Sequence, residues 1–422
     1  MPEKKRMEVT TQTTRSLIYI LISLALSSRV AAQSLNVFKN GETADADEIN
    51  ANFSLLDNQL KDLESRLSPG FDGSAQYIVV DCTSDSSALE TAMAGVSKNA
   101  LLSLYVSGRC SVSSVYAGRG QKIYVIGSDP AQDKLVAYGA AWAPVFSEGY
   151  MYLSKIGIVQ SAGNRSGAYA WSGGHLLLSN VTIETPNSGE GAADSFYCVA
   201  AELGSTAYIS GLTCSSYSKG IGLMGASSAW LRGNVNVAAS GGSAIAAKAS
   251  STFSADRVNL TVLGFPAFDL TDGSTYRQQY GDASTAYNIT GDINVVGGSV
   301  LHFDDPEQTN HFQPGVVSVK DSTVSLKGFT TANYVLERST GSITPHDSVS
   351  NLTIDARQSD FQYEASFTTR TTADLRNSTM RWSGDCQELY CLGNTFFDCR
   401  GNSNLETDGG FYAGHKCLTV MS

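Results

Sequence analysis

Residues able to do chemistry are sparse in this sequence, and the densest group is His302, Asp304, Asp305, Glu307 and His311. Imidazoles beside carboxylates move protons near neutral pH, and carboxylates flanking a sugar linkage protonate a leaving oxygen or activate water. No Lys or Arg stands within the group, so it lacks a cation to neutralise a uronate during β-elimination. The same stretch also reads as a solvated acidic loop. Asp269 and Asp272 form a second acidic pair that would suit Ca²⁺, although neither an EF-hand nor a calcium nonapeptide repeat is present. Tyr150, Tyr152, Tyr276, Tyr280 and Tyr287 fall in or near turns and inserts, where ring faces stack on sugars or simply pack.

The elements that must position these residues begin after a targeting segment. Lys4, Lys5, Arg6 and Arg15 precede the apolar run Leu17 to Leu26, and Val30-Ala31-Ala32 ends it. This is the pattern of a secretory signal peptide over residues 1–32, too short in its apolar part for a membrane span of about 20 residues. The remainder carries 24 basic against 38 acidic residues, a net charge of −14. Such a surface repels phosphate backbones, which argues against nucleic acid and for cations or neutral and basic glycans as partners.

Cys82, Cys110, Cys198, Cys214, Cys386, Cys391, Cys399 and Cys417 are an even set of eight in a chain read as exported, so disulfides are expected. Chain order suggests Cys82 with Cys110 and Cys198 with Cys214, with the last four stapling the C-terminal end. No Cys-x-x-Cys occurs, which disfavours zinc.

Within residues 33–67 the apolar positions Ile49, Phe53, Leu56, Leu60, Leu63 and Leu67 step by 4 and 3, a heptad seam on one helix. Residues 49–67 would then join copies into a homo-oligomer, a trimer, or pack the helix on its own chain. Residues 68–76, opening Ser68-Pro69-Gly70, form a linker. From Tyr77 short β-rich runs take over, with one helix expected in Ser86 to Val96 to cover an open edge.

Residues 77–422 carry a loose repeat of Asn or Gly, apolar, Thr, apolar. It stands at Asn180, Gly211, Asn259, Gly328, Asn351 and Asn377, with variants at Lys155, Asn234 and Asp292, every 23 to 36 residues. Asn and Gly tolerate the left-handed backbone of a tight corner, and the apolar residue after it points into a stacked core. A β-sandwich does not explain a recurring corner at that spacing. The expected fold is all-β, a right-handed parallel β-helix solenoid with a short N-terminal helix.

From Val80-Asp81-Cys82 through Gly108-Arg109-Cys110 to Cys417 the repeat resembles the pectin-lyase-like right-handed β-helix superfamily, in an exported bacterial form. Phe38-x-Asn40-Gly41 through Asn52-Phe53 is similar to a segment near the mature N-terminus of many exported proteobacterial proteins. The superfamily implies polysaccharide lyases or glycoside hydrolases, yet Gly-His-Gly, Arg-x-Lys and Arg-x-Pro-x-x-Arg are absent, and Asp305-Pro306 is followed by Glu307 where epimerases would show His. The reading is therefore a secreted or cell-surface protein that contacts polysaccharide or cell-surface glycan without catalysis. The alternative is a lyase or hydrolase whose site is assembled across coils.

Overall fold

The computed structural model describes residues 75–420, apart from residues 95, 97–100, 140–141, 161–165, 185–196, 218, 280–286, 304–310, 314, 330–332, 346–350, 365–369, 384–387, 393–394 and 399–416. The expected signal peptide and heptad helix lie outside the described residues, as do Cys386 and Cys399. Every described residue belongs to the unit Asp72–Ser422.

All the strands pair in parallel, in one 20-stranded and one 13-stranded sheet. The expected parallel β-helix is thus the fold. A coil such as Thr206–Tyr217 followed by Lys219–Met224 runs along the long sheet, bends, and crosses to the short sheet. Alternation buries every second residue: in Ser228–Ala239, Ala229, Leu231, Val235 and Val237 face the core while Trp230, Arg232 and Asn236 face out.

The bend within the long sheet is left-handed at Lys155 (φ 51°), Asn180 (φ 53°) and Gly211 (φ 84°), as expected. In other coils the expected corner is displaced by a residue or two, to Gly233 rather than Asn234 and Arg257 rather than Asn259, while Asp292, beside the left-handed Gly291, stands where the chain passes from the long sheet to the short one. Gly328 falls at a register break of its long-sheet strand, as Gly211 does, whereas Asn351 opens a strand of the short sheet and is not this corner.

A second corner, where the chain leaves the short sheet for the long one, is more regular. Ser205, Ser227, Ser251, Ser274, Ser299, Ser322, Ser339, Ser359 and Ser378 are all buried and stacked. The N–H of each donates to the hydroxyl of the next at 3.1 to 3.3 Å. The hydroxyl in turn donates to a carbonyl two or three residues back, for example Ser299 to Val296 at 2.7 Å. The residue before each serine is left-handed, even Ala226, Arg338 and Gln358. Non-glycine residues resist that conformation by about 1 kcal/mol or more, so the buried hydrogen bonds must more than offset it. Asn377 belongs to this corner rather than to the other. Rungs are separated by 22, 24, 23, 25 and 23 residues down to Ser322, then by 17, 20 and 19.

The core is aliphatic toward the N-terminus and gains a stack of rings further along. Phe253, Tyr276 and Phe303 follow one another with centroids 6.1 and 4.9 Å apart, and Phe268 meets Tyr276 and Phe303 edge-on. The helix Ala88–Ala94 lies where one was expected, with Leu89 fully buried against the core and Glu90 accepting from Ser113 N–H and the Tyr138 hydroxyl.

Both disulfides expected among the described cysteines are formed. Cys82–Cys110 fastens the first strand to the second, and Cys198–Cys214 crosses the core from the short sheet to the long one.

Candidate functional site: an aromatic shelf on the short sheet

Outward side chains of a parallel sheet form columns, one residue per strand at about 4.8 Å intervals. On the short sheet one column runs Tyr116, Phe146, Tyr169, Ala200, Gly222, Ala246, Asp269, Asn294. It begins with three rings, passes over three small residues, and ends polar. Tyr169 lies between Trp142 and Trp171, its plane within 29° and 26° of theirs at 6.0 and 5.8 Å. Tyr116 and Phe146 extend the row. Tyr169 and Tyr197 are themselves buried in an apolar cluster separate from the core, with Phe146 and Trp171 packed against it, and the ring open to solvent is Trp142, 53% exposed.

The small residues make room for Tyr197. A Cβ on Gly222 would stand 2.4 Å from the Tyr197 ring, so glycine is required for the ring to lie flat on the sheet. Lys219 sits 5.4 Å from the centroid of that ring, a cation–π distance. Burial, with the nearby charges of Asp269 and Glu202, pushes the Tyr197 hydroxyl up to about 12, so it is a donor throughout the physiological range.

Glu202 ends the same strand as Ala200. Burial raises its carboxyl above the ordinary range, and a hydrogen bond from the Tyr169 hydroxyl only partly opposes this. Asp269 accepts from Asn294 Nδ2 at 2.9 Å and from Ser243 at 3.5 Å, and Lys248 stands 3.7 Å away. Ala200 and Asp269 are three strand steps apart, roughly 14 Å at about 4.8 Å each. That exceeds the 5 to 10 Å, roughly, that separates paired carboxyls in glycosidases. The exposed Trp142 face can stack on a ring and its neighbours can exchange hydrogen bonds, but Glu202 and Asp269 are not placed as a hydrolytic pair.

The residues singled out from sequence are dispersed. His302 faces out of the long sheet between Arg277 and Ser325. His311 is in another strand of that sheet, opposite Asn288. Asp304, Asp305 and Glu307 lie outside the described residues. Asp272 is a left-handed turn residue, and Asp269 is engaged as above. Among the described residues no three His, Cys, Asp or Glu side chains gather as a metal set. Tyr276 and Tyr287 are not sugar platforms: both are buried, because they occupy inward positions of their strands. Tyr150 and Tyr152 do face outward, on the long sheet, and Tyr280 lies outside the described residues.

Glu202, Tyr169, Tyr197, Trp142, Trp171 and Lys219 were missed by sequence reasoning, because only the stacking of coils makes them neighbours. Among the described residues no helix is long and apolar enough to cross a membrane. The two disulfides are compatible with an extracellular setting. Comparison with protein-family models, curated proteins and solved structures returned no match.

Proposed function

We propose that this is a secreted or cell-surface β-helix that binds polysaccharide on its short sheet without cleaving it. The observation that carries the reading is the exposed Trp142, stacked on the buried Tyr169 with Trp171 on the far side of it, beside Glu202. A pyranose presents an apolar face to such rings and hydroxyls to their edges, where Glu202, the Tyr197 hydroxyl, Lys219 and Lys248 exchange hydrogen bonds. Strands advance by about 4.8 Å, close to the length of one sugar unit, so an extended glycan along the column meets one coil per residue. Export through residues 1–32 and trimerisation through residues 49–67 belong to the same proposal, since avidity would multiply weak contacts.

The test is retention of the purified protein on immobilised neutral, basic and acidic polysaccharides, with unsaturated-sugar absorbance and reducing ends read in parallel, with and without Ca²⁺. Retention that Trp142→Ala weakens about tenfold, with no new ends, supports the proposal. Release of ends or absorbance, abolished by Glu202→Gln, would replace it with a lyase or hydrolase. No retention on any polysaccharide would leave a structural or protein-binding role.

A further inference from the structure

The long sheet carries a second outward aromatic column, unconnected with the shelf. Its register runs Tyr124, Tyr152, Leu177, Tyr208, Trp230. The neighbouring column runs Lys122, Tyr150, His175, Thr206, Ser228. Tyr124 meets both Tyr150 and Tyr152 at 5.7 Å, and Trp230 is 44% exposed. Leu177 is the one non-aromatic member of the first column, and the rings on either side of it are two strand spacings apart, about 9.6 Å.

Beside this gap lies an open cleft of about 260 Å³ lined by His175, Leu176, Leu177, Thr206, Ala207, Tyr208 and Trp230. The volume is just below the range of about 300 to 1,000 Å³ typical of drug-sized ligands, so it holds a single ring rather than an oligomer. Its apolar surface comes from the outward Leu177, Tyr208 and Trp230, since Leu176 and Ala207 turn their side chains into the core, and it has one polar edge. There His175 Nδ1 and Thr206 Oγ1 are 2.7 Å apart, which fixes the imidazole and directs Nε2 away from the pair. Arg232 is hydrogen-bonded to the Tyr208 hydroxyl, tying that ring to the next coil.

We propose that this cleft is a second carbohydrate site, which takes one pyranose with its apolar face on Tyr208 and Trp230 and its hydroxyls toward His175 and Thr206. An apolar ring platform with a single fixed hydrogen-bonding couple at its edge matches a sugar, which has both kinds of surface. A flat aromatic partner that covered this edge would leave His175 Nε2 without a partner, at a cost. With one site on each sheet the protein holds two glycan chains at once, and so acts as a cross-linker.

The experiment is ligand-observed saturation-transfer NMR with titration, using methyl glucoside, methyl galactoside, N-acetylglucosamine and glucuronate as sugars and phenol as a non-sugar ring. At least one sugar should bind the Trp142→Ala protein, in which the shelf is disabled, with affinity about tenfold lower when Trp230→Ala is added and about threefold lower when Thr206→Val is added. Thr206→Val keeps the side-chain shape and guards against a folding artefact, which circular dichroism checks. Polysaccharide-coated beads should be clumped more weakly by Trp230→Ala than by the wild type, even where that variant is still retained on the same polysaccharide. Sugar binding indifferent to Trp230→Ala and Thr206→Val, or binding of phenol alone, would overturn the cleft proposal. Loss of retention with Trp142→Ala bears only on the shelf, so the two proposals fail separately.

Discussion

Ser299 donates its backbone N–H to the hydroxyl of Ser322 at 3.2 Å, while its own hydroxyl receives the same bond from Ser274. Each rung thus serves the coil on either side. Replacing Ser299 by Ala leaves the Ser274 N–H buried with no acceptor and also strips the Val296 carbonyl of its donor. The expected loss is about 2 kcal/mol. A similar loss should follow at Ser251 and only a small one at Ser205, whose hydroxyl takes no rung bond from an earlier serine. Urea unfolding of the three variants checks this.

Asp133 is the hub of the first coils. Burial alone would raise its carboxyl, but bonds from Ser128 N–H, Gly108 N–H, the Ser128 hydroxyl and Asp129 N–H outweigh that and hold it below the ordinary range. The folded state therefore favours the ionised form. Its stabilisation is present above the unfolded value, about 3.9, and disappears as pH falls through the lower folded value. Asp133→Ala should cost about 3 kcal/mol at neutral pH and flatten the acid limb of a melting-temperature profile.

Glu202 behaves in the opposite sense. Its folded carboxyl titrates above the unfolded one, so between the two values the folded chain holds a proton that the unfolded chain has released. Stability must fall as pH rises from about 4.3 through that window. Glu202→Gln should remove the decline, and the same calorimetric pH series reads it.

Gly222→Ala should dislodge the Tyr197 ring, since the new methyl would meet it at 2.4 Å. Overpacking of this kind costs about 1 to 3 kcal/mol. The displaced hydroxyl, no longer buried, should titrate closer to an ordinary tyrosine, which NMR of labelled tyrosines would show.

Cys198–Cys214 lies directly beneath the shelf and closes a loop with a sequence separation of 16. Changing both cysteines to Ala should destabilise the protein by about 3 kcal/mol. Glycan retention should weaken in the same variant, because Tyr197 and Glu202 share a strand with Cys198. Equal retention at temperatures well below the melting point would show that the strand is held by its neighbours alone.

The fold was legible because alternation and recurring corners are properties of short stretches. Asn180 and Gly211 advertise their corner by residue type, and the first two cysteine pairs follow from chain order. The serine ladder was legible too, though not recognised. Ser-Thr recurs at 205, 251, 274, 322, 339 and 378, but serine reads as an exposed turn residue until its burial is known. Tyr276 was misassigned because Gly and Asp nearby suggest a turn, whereas Thr275 and Arg277 on either side already place it on the inward face. The shelf could not be read at all. Trp142, Tyr169, Glu202 and Asp269 come from separate coils, and small errors in coil length shift the columns that bring them together.

The rung interval shortens after Ser322, so the coils beyond it are shorter in chain. Fewer described side chains point inward in each of these coils, Val324, Leu326, Tyr334 and Leu336 in the first of them, so less apolar interior backs every hydrogen-bonded step. Heat or force should open the short coils after Ser322 before the longer, twice cross-bridged coils that carry both sugar-facing surfaces.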